Sequence, residues 1–358
     1  MSLQTLRIID ANCNRIGEGL RFLEDIARFV LNDAVLSRQL KTTRHSIIKD
    51  VSKLGIKLIS ERNSESDVGA NSKSDNQQQE LASLITANAK RVEEGLRVIE
   101  ELAKLPEISP ILDSSRFQKV RFELYTLEQS LLSQILRQQK MAQLKGLYVI
   151  LDTQVLGNKD IIDAATRTIR GDAKILQLRD KHQEKVSLLA IARKIKELCA
   201  KSNTLFIIND HLDIALAVDA DGLHVGQEDL PLSIARRELP IDKIIGCSTK
   251  TLEQARKAAA EGADYIAVGS IFPTPSKKEA IVVGIERLRQ IKQEVSIPVV
   301  AIGGINKNNV GEVMSAGAVA AAIISAVLNQ KDIEEATRQM VKEIEQKTKD
   351  NQKSGKHC

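Results

Sequence analysis

Tryptophan is absent from this 358-residue sequence, and aromatic residues of all kinds make up only 3% of it. The stacking platforms on which single-strand nucleic-acid binders lay successive bases are therefore lacking. An excess of one charge is lacking too. The 52 Lys and Arg against 47 Asp and Glu leave +5, spread along the chain, and nothing in that balance calls for a nucleic-acid partner. No apolar run approaches the ~20 residues needed to span a bilayer, and Met1 to Asp10 lacks the basic-then-apolar layout of a signal peptide. The cysteines, Cys13, Cys199, Cys247 and Cys358, stand far apart with no C-x-x-C spacing. That argues against a zinc or disulfide framework and predicts free thiols in a reducing cytoplasm. Two nucleotide signatures are also missing: there is no G-x-x-x-x-G-K-[ST] loop, and no Gly-x-Gly-x-x-Gly after a first strand.

What is present is an internal repeat. Ile9 to Phe29 (I-D-A-N-C-N-R-I-G-E-G-L-R-F-L-E-D-I-A-R-F) lines up with Ile85 to Leu105 (I-T-A-N-A-K-R-V-E-E-G-L-R-V-I-E-E-L-A-K-L). The alignment pairs Asn12 with Asn88, Arg15 with Arg91, Glu18 with Glu94, Gly19 with Gly95, Arg21 with Arg97 and Glu24 with Glu100. A second, fainter echo pairs Arg44 with Arg121. Ile16, Leu20, Leu23 and Ala27 recur at helical steps, as a buried stripe requires. Between the copies, Asn63 to Gln79 is so rich in Ser, Asn, Gln and Asp that a mobile loop is expected. A last helix is predicted from Asp113 to Lys140. These features predict an all-helical first domain over residues 1–140, built by duplication.

From Leu144 the pattern changes to short apolar runs alternating with amphipathic helices. The runs cover 147–152, 174–180, 204–210, 222–227, 243–248, 265–272, 298–305 and 320–327. Hydrophobicity that is continuous rather than alternating means both strand faces are covered, as in a parallel sheet. Eight strand–helix units predict an α/β fold, a (β/α)₈ TIM barrel over 144–345, followed by a frayed polar tail at 346–358.

Active sites of such barrels lie at the C-terminal ends of the strands, and the polar residues collect there. Gly303 and Gly304 follow the seventh run and let backbone N–H groups approach an anion with no Cβ in the way. With Ser325 after the eighth, they form a candidate phosphate cradle. Opposite, Arg179, Lys181 and Lys277 supply cations, while Asp210 and Asp229 supply hard oxygen ligands, a combination suited to a magnesium diphosphate. The plainer alternative is a pair of surface ion pairs. Asp210 and Asp229 are each also placed to cap a following helix. His224 reads as barrel lining rather than a base, His45, His182 and His211 as exposed, and Cys247 as having no base beside it.

Six ordered strings, Q-L-R-D-K, I-I-N-D, H-V-G-Q-E-D, G-C-S, G-S-I-F-P-T-P-S-K-K and A-I-G-G-I, fall at the strand ends. Over 144–340 they resemble the thiamine-phosphate synthase (thiamin-phosphate pyrophosphorylase) family. The resemblance implies a cytoplasmic transferase of thiamine biosynthesis that joins 4-amino-2-methyl-5-hydroxymethylpyrimidine diphosphate to 4-methyl-5-(2-hydroxyethyl)thiazole phosphate. The products are thiamine phosphate and pyrophosphate. It implies that Gln177, Arg179, Lys181, Asn209 and Lys277 meet the pyrimidine diphosphate, and that Asp210 and Asp229 ligate Mg²⁺. Ser248 would lie near the reacting centre, and Thr274, Ser276, Gly304 and Ser325 would bind the thiazole phosphate. The repeated domain is similar to a helical module fused to some bacterial members, for which a phosphomethylpyrimidine kinase role is implied.

The rival readings are a thiazole tautomerase-like barrel that binds only the thiazole phosphate, and a helical domain serving only dimerisation. The partners expected are small molecules, with no nucleic acid and no membrane, and a homo-oligomer stays open. In the helical domain, Asn12 with Arg15 and Asn88 with Arg91 form a candidate anion site. The competing reading makes its Arg and Glu residues a solvated face and its two glycines a means of close helix packing.

Overall fold

The computed structural model describes residues 3–55, 80–274 and 281–354. The loop expected at 63–79 lies outside them. The chain divides into two compact units, Met1–Leu136 and Arg137–Cys358. No helix among the described residues is long and apolar enough to cross a membrane.

In the first unit, α1 (Leu3–Asp25) runs into a π-helical turn (Ile26–Val30), followed by α2 (Ala34–Ser52), α3 (Leu81–Leu102) and α4 (Ser114–Gln143). The repeated segments are α1 and α3. Their stripes, including Ile9, Ile16, Leu20 and Leu23 on α1 and Ile85, Val92, Leu96 and Ile99 on α3, are buried together. The glycines decide how closely the two helices approach. A Cβ on Gly19 would stand 2.5 Å from Val92 Cγ2, and one on Gly95 2.8 Å from Ile16 Cγ1. Ile16 and Val92 are themselves equivalent in the repeat, so each half presents the same glycine to the same position of the other. The duplication has folded into an internal two-fold.

One expectation for this unit is corrected. Asn12 and Asn88 each donate one amide hydrogen to the carbonyls of Ile8 and Leu84, at 2.8 Å on their own helices. The Arg–Glu pairs are not simply a solvated face. Glu24 and Glu100 are both buried, gripped by Arg44 and Arg121 from the second helix of their own half. Helical period alone places Glu24 beside Arg21 on the helix surface; it cannot show that α2 lies over it.

The second unit is a closed barrel of eight parallel strands in chain order: β1 (Gly146–Asp152), β2 (Ile175–Arg179), β3 (Leu205–Asn209), β4 (Gly222–Val225), β5 (Ile244–Thr249), β6 (Tyr265–Val268), β7 (Val299–Ile302) and β8 (Ala320–Ile323). Successive side chains point to opposite faces. Leu147, Val149 and Leu151 therefore pack outward with residues such as Leu176, Leu178 and Ile208 under the helices, whereas Tyr148, Ile150, Ile175, Ile207 and Tyr265 fill the barrel interior. The last helix is Ile333–Ser354, so helix continues past Glu345, where the sequence suggested a frayed tail.

Candidate active site

The inward face of β2 carries Ile175, Gln177 and Arg179 in turn, so one strand places both polar residues toward the barrel mouth. In the register of β1 against β2, Asp152 stands opposite Arg179. The two form an ion pair, with Asp152 almost fully buried. The other oxygen of Asp152 caps the helix Thr153–Leu156 by accepting from the Gln154 and Val155 N–H groups at 3.0 and 3.2 Å. Arg179 is thus held from behind. Just beyond it, Asp180 accepts the N–H groups of His182 and Gln183, both at 2.8 Å, in a tight side-chain turn that fixes the backbone around Lys181.

Asp210 follows β3 in a left-handed conformation, φ +62°, which Asp tolerates better than most residues. Its N–H donates to the His224 carbonyl at 2.8 Å, and its side chain turns to Asp229 and Lys181, whose Nζ lies 3.8 Å from Oδ2. Asp229 accepts the Gly226 N–H at 2.7 Å. Neither aspartate caps a helix. The helix Leu212–Ala217 begins at His211, and Leu232–Glu238 begins at Pro231, both without a side-chain cap. Burial, followed by the neighbouring Asp229, pushes the Asp210 carboxyl up to about 6, while Lys181 and Arg179 pull it down. Two half-buried carboxylates turned on one another call for a cation. Among the described residues no cluster of three or more potential metal-ligating side chains forms. A pair still suits Mg²⁺, which usually keeps waters and completes its octahedron with substrate phosphates.

Across the barrel runs a continuous chain of hydrogen bonds. Gln177 Nε2 donates to Tyr148 Oη at 2.7 Å, the Tyr148 and Tyr265 hydroxyls are 3.0 Å apart, Tyr265 Oη is 3.1 Å from His224 Nδ1, and His224 Nε2 is 2.9 Å from Ser248 Oγ. Gly246 makes room for it, since a Cβ there would lie 2.1 Å from the Tyr265 ring. An amide nitrogen can only donate, so the chain is satisfied in one direction. Tyr148 donates to Tyr265, Tyr265 donates to Nδ1, and the Nε2–H of His224 meets Ser248. Burial depresses the His224 pKa to about 4, leaving a neutral ring with one tautomer. His224 therefore does more than line the barrel: it bonds the Ser248 hydroxyl. Tyr265→Phe breaks the chain in the middle. The expected result is about a five- to tenfold loss in kcat, the worth of one hydrogen bond. Nitrogen NMR of His224 should at the same time show loss of the single tautomer; an unchanged imidazole spectrum would dismiss the chain.

Elsewhere the residues fall as follows. Asn209 ends β3 opposite His224 and is buried. Gly304, φ +66°, sits where a Cβ would strike the Pro273 carbonyl oxygen at 2.5 Å, and its own carbonyl accepts from Asn309 Nδ2 at 3.0 Å. Ser325 opens the one-turn helix Ser325–Leu328 just past β8, and Thr274 lies beyond β6. Ser276 and Lys277 lie outside the described residues. Burial pushes the Cys247 thiol up to about 11, which does not suit a nucleophile. His182 and His45 are exposed, whereas His211 is half-buried, with Nε2 3.3 Å from the Asp180 carbonyl.

The family model described as thiamine monophosphate synthase matches residues 147–327. The chain belongs to the thiamine monophosphate synthase family. The thiamine-phosphate synthase of Synechocystis sp. is 37% identical, over 94% of this chain and 96% of its own. That of Thermosynechococcus vestitus is 36% identical over 95% of each. Both span the helical unit as well as the barrel, and a second family model, described as the ThiD2 family, matches residues 7–130. Among solved structures, the thiamine phosphate pyrophosphorylase from Pyrococcus furiosus superposes with a TM-score of 0.53 at 40% identity, covering 56% of this chain and 96% of that one. Members of this family are transferases.

Proposed function

We propose that the barrel joins hydroxymethylpyrimidine diphosphate to hydroxyethylthiazole phosphate, releasing pyrophosphate and forming thiamine phosphate. The observation that carries this reading is the meeting of Arg179, Lys181, Asp210 and Asp229 at one side of the barrel mouth, in a chain of this family. When the carbon–oxygen bond to the diphosphate breaks, both electrons leave with pyrophosphate and a cation remains on the pyrimidine methylene carbon. The thiazole nitrogen then donates its lone pair to that carbon. No covalent nucleophile is needed, and none is offered by the buried Cys247.

In this scheme Arg179 and Lys181 bind the diphosphate and offset the negative charge that grows as it departs. Asp210 and Asp229 would hold a Mg²⁺ ion, which supplies further charge neutralisation on the leaving group when bound. Gln177 and Asn209 would orient the pyrimidine. Ser248, its oxygen engaged by neutral His224, would direct its own proton toward the reacting pyrimidine. Gly304 and Ser325, with Thr274 and Ser276, would grip the thiazole phosphate, and Lys277 would reach the diphosphate. A barrel that binds only the thiazole phosphate has no need of the Arg–Lys–Asp side, so the tautomerase-like reading is not favoured.

For the helical unit we propose phosphorylation of the pyrimidine monophosphate, which would supply the barrel's substrate. Its support is the match to the ThiD2 family. Purified protein given the pyrimidine diphosphate, the thiazole phosphate and Mg²⁺ is expected to form thiamine phosphate. Failure at every Mg²⁺ concentration would sink the synthase reading. A second arm replaces the diphosphate with the monophosphate and ATP and tests the helical unit by itself.

A further inference from the structure

The two halves of the helical unit differ in charge and backbone around the end of α1. Near the end of α1, residues including Glu24, Arg28, Asp33, Arg38 and Lys41 line a cavity of about 410 Å³. Small-molecule pockets commonly run ~300–1,000 Å³. Both carboxylates in its wall are already committed. Glu24 takes Arg44 and Arg21, while Asp33 caps α2 through the Val35 and Leu36 N–H groups and accepts from Gln134 Nε2 at 2.9 Å. Among the described residues no carboxylate pairs with Arg28, Arg38 or Lys41. Arg28 lies over the Phe29 ring, 4.8 Å from its centre.

The equivalent positions of the second half have lost this character. Arg28 corresponds to Lys104, which Glu101 holds at 2.9 Å. Following the offset that pairs Arg44 with Arg121, Arg38 corresponds to Ser115, which donates to Asp113 at 2.7 Å, and Lys41 to the neutral Gln118. The backbone diverges at the same point. The first half closes α1 with the π-helical turn Ile26–Val30 and then places Asn32 at φ +53°, whereas α3 ends at Leu102 and passes into ordinary turns. Short π segments inside helices recur at functional sites. Three cations about one cavity repel each other and lend the fold nothing. A tetrahedral phosphate, with oxygens on several sides, satisfies all three.

We propose that this cavity binds the phosphate group of a phosphorylated small molecule through Arg28, Arg38 and Lys41. The choice of phosphates to try rests on the kinase reading of this unit: a nucleoside triphosphate or the pyrimidine monophosphate. The site itself is argued from the geometry.

The experiment is hydrogen-exchange mass spectrometry on the full chain, with ATP and the pyrimidine monophosphate in separate arms. Peptides from the barrel report its own phosphate sites independently. Exchange across 24–41 is expected to slow with one of the two ligands, and which one does so tells donor from acceptor. In an Arg38→Gln, Lys41→Gln variant, whose side chains are exposed, half-protection is expected to need at least about tenfold more ligand for each cation removed. Unchanged exchange over 24–41 in both arms, or equal protection of variant and parent, overturns the site. Phosphoryl transfer undiminished in the variant also overturns it, yet leaves the kinase reading intact. Variant-sensitive binding in a protein that transfers no phosphate supports the site and defeats the kinase.

Discussion

Arg179→Ala is expected to cut kcat/KM for thiamine phosphate formation by about a hundred- to a thousandfold, the loss seen when one preorganised group facing a developing anion is deleted. The substitution has a second consequence. Asp152, almost fully buried, loses its guanidinium partner but keeps the two N–H groups it caps. The stability cost should therefore stay within the ~1–3 kcal/mol of one unsatisfied buried group, well below loss of the fold. Arg179→Lys separates the two effects. It returns a charge to Asp152 but not the planar two-pronged donor, so stability should recover further than turnover. Steady-state kinetics beside denaturant melts of the three proteins check this. Turnover that tracks stability in all of them would make Arg179 a structural residue.

The largest expected effect on stability lies in the helical unit. Arg44 places Nε and Nη2 at 3.1 and 2.9 Å from Glu24 Oε2, and both side chains are well shielded. Arg44→Ala leaves a buried carboxylate held, among the described residues, only by Arg21 at 3.4 Å, and a cost of about 3–5 kcal/mol is expected. Arg121→Ala is the internal control. Glu100 keeps Arg97 at 2.6 Å, so the second half should lose less. Replacing both partners, Glu24→Leu with Arg44→Met, should restore most of the stability, because no charge is then left buried. Native-state hydrogen exchange of α1 and α2 for the first half, and of α3 and α4 for the second, measures all three. Equal losses from Arg44→Ala and Arg121→Ala would show that the closer Arg97 contact adds nothing over that of Arg21.

The barrel was readable because its signal is periodic and local. Strand 2 shows why: Gln177 and Arg179 are two residues apart, and a strand turns residues two apart to the same face. The place of the Gly303–Gly304 pair, just after the seventh strand, was legible for the same reason, and both take a positive φ. The duplication was plainer still, an alignment of the chain with itself. Asp152, by contrast, ends an apolar run and looks like its last residue. Only the register against β2 sets it opposite Arg179. Tyr148 and Tyr265 lie in the apolar runs of the first and sixth strands and were not singled out, because their hydroxyls meet across 117 residues of chain.

The sequence by itself determined the two domains, the barrel, the repeated helices and which residues lie at the strand ends, because each follows from spacing within one element. The tertiary structure decided the rest. It turned Asn12 and Asn88 onto their own helices, buried Glu24 and Glu100 under the helices that follow them, and linked His224 to Ser248 through a polar chain. The reason is physical. A hydrogen bond or a buried ion pair is set by where two separate elements come to rest, and no spacing within either element records that distance.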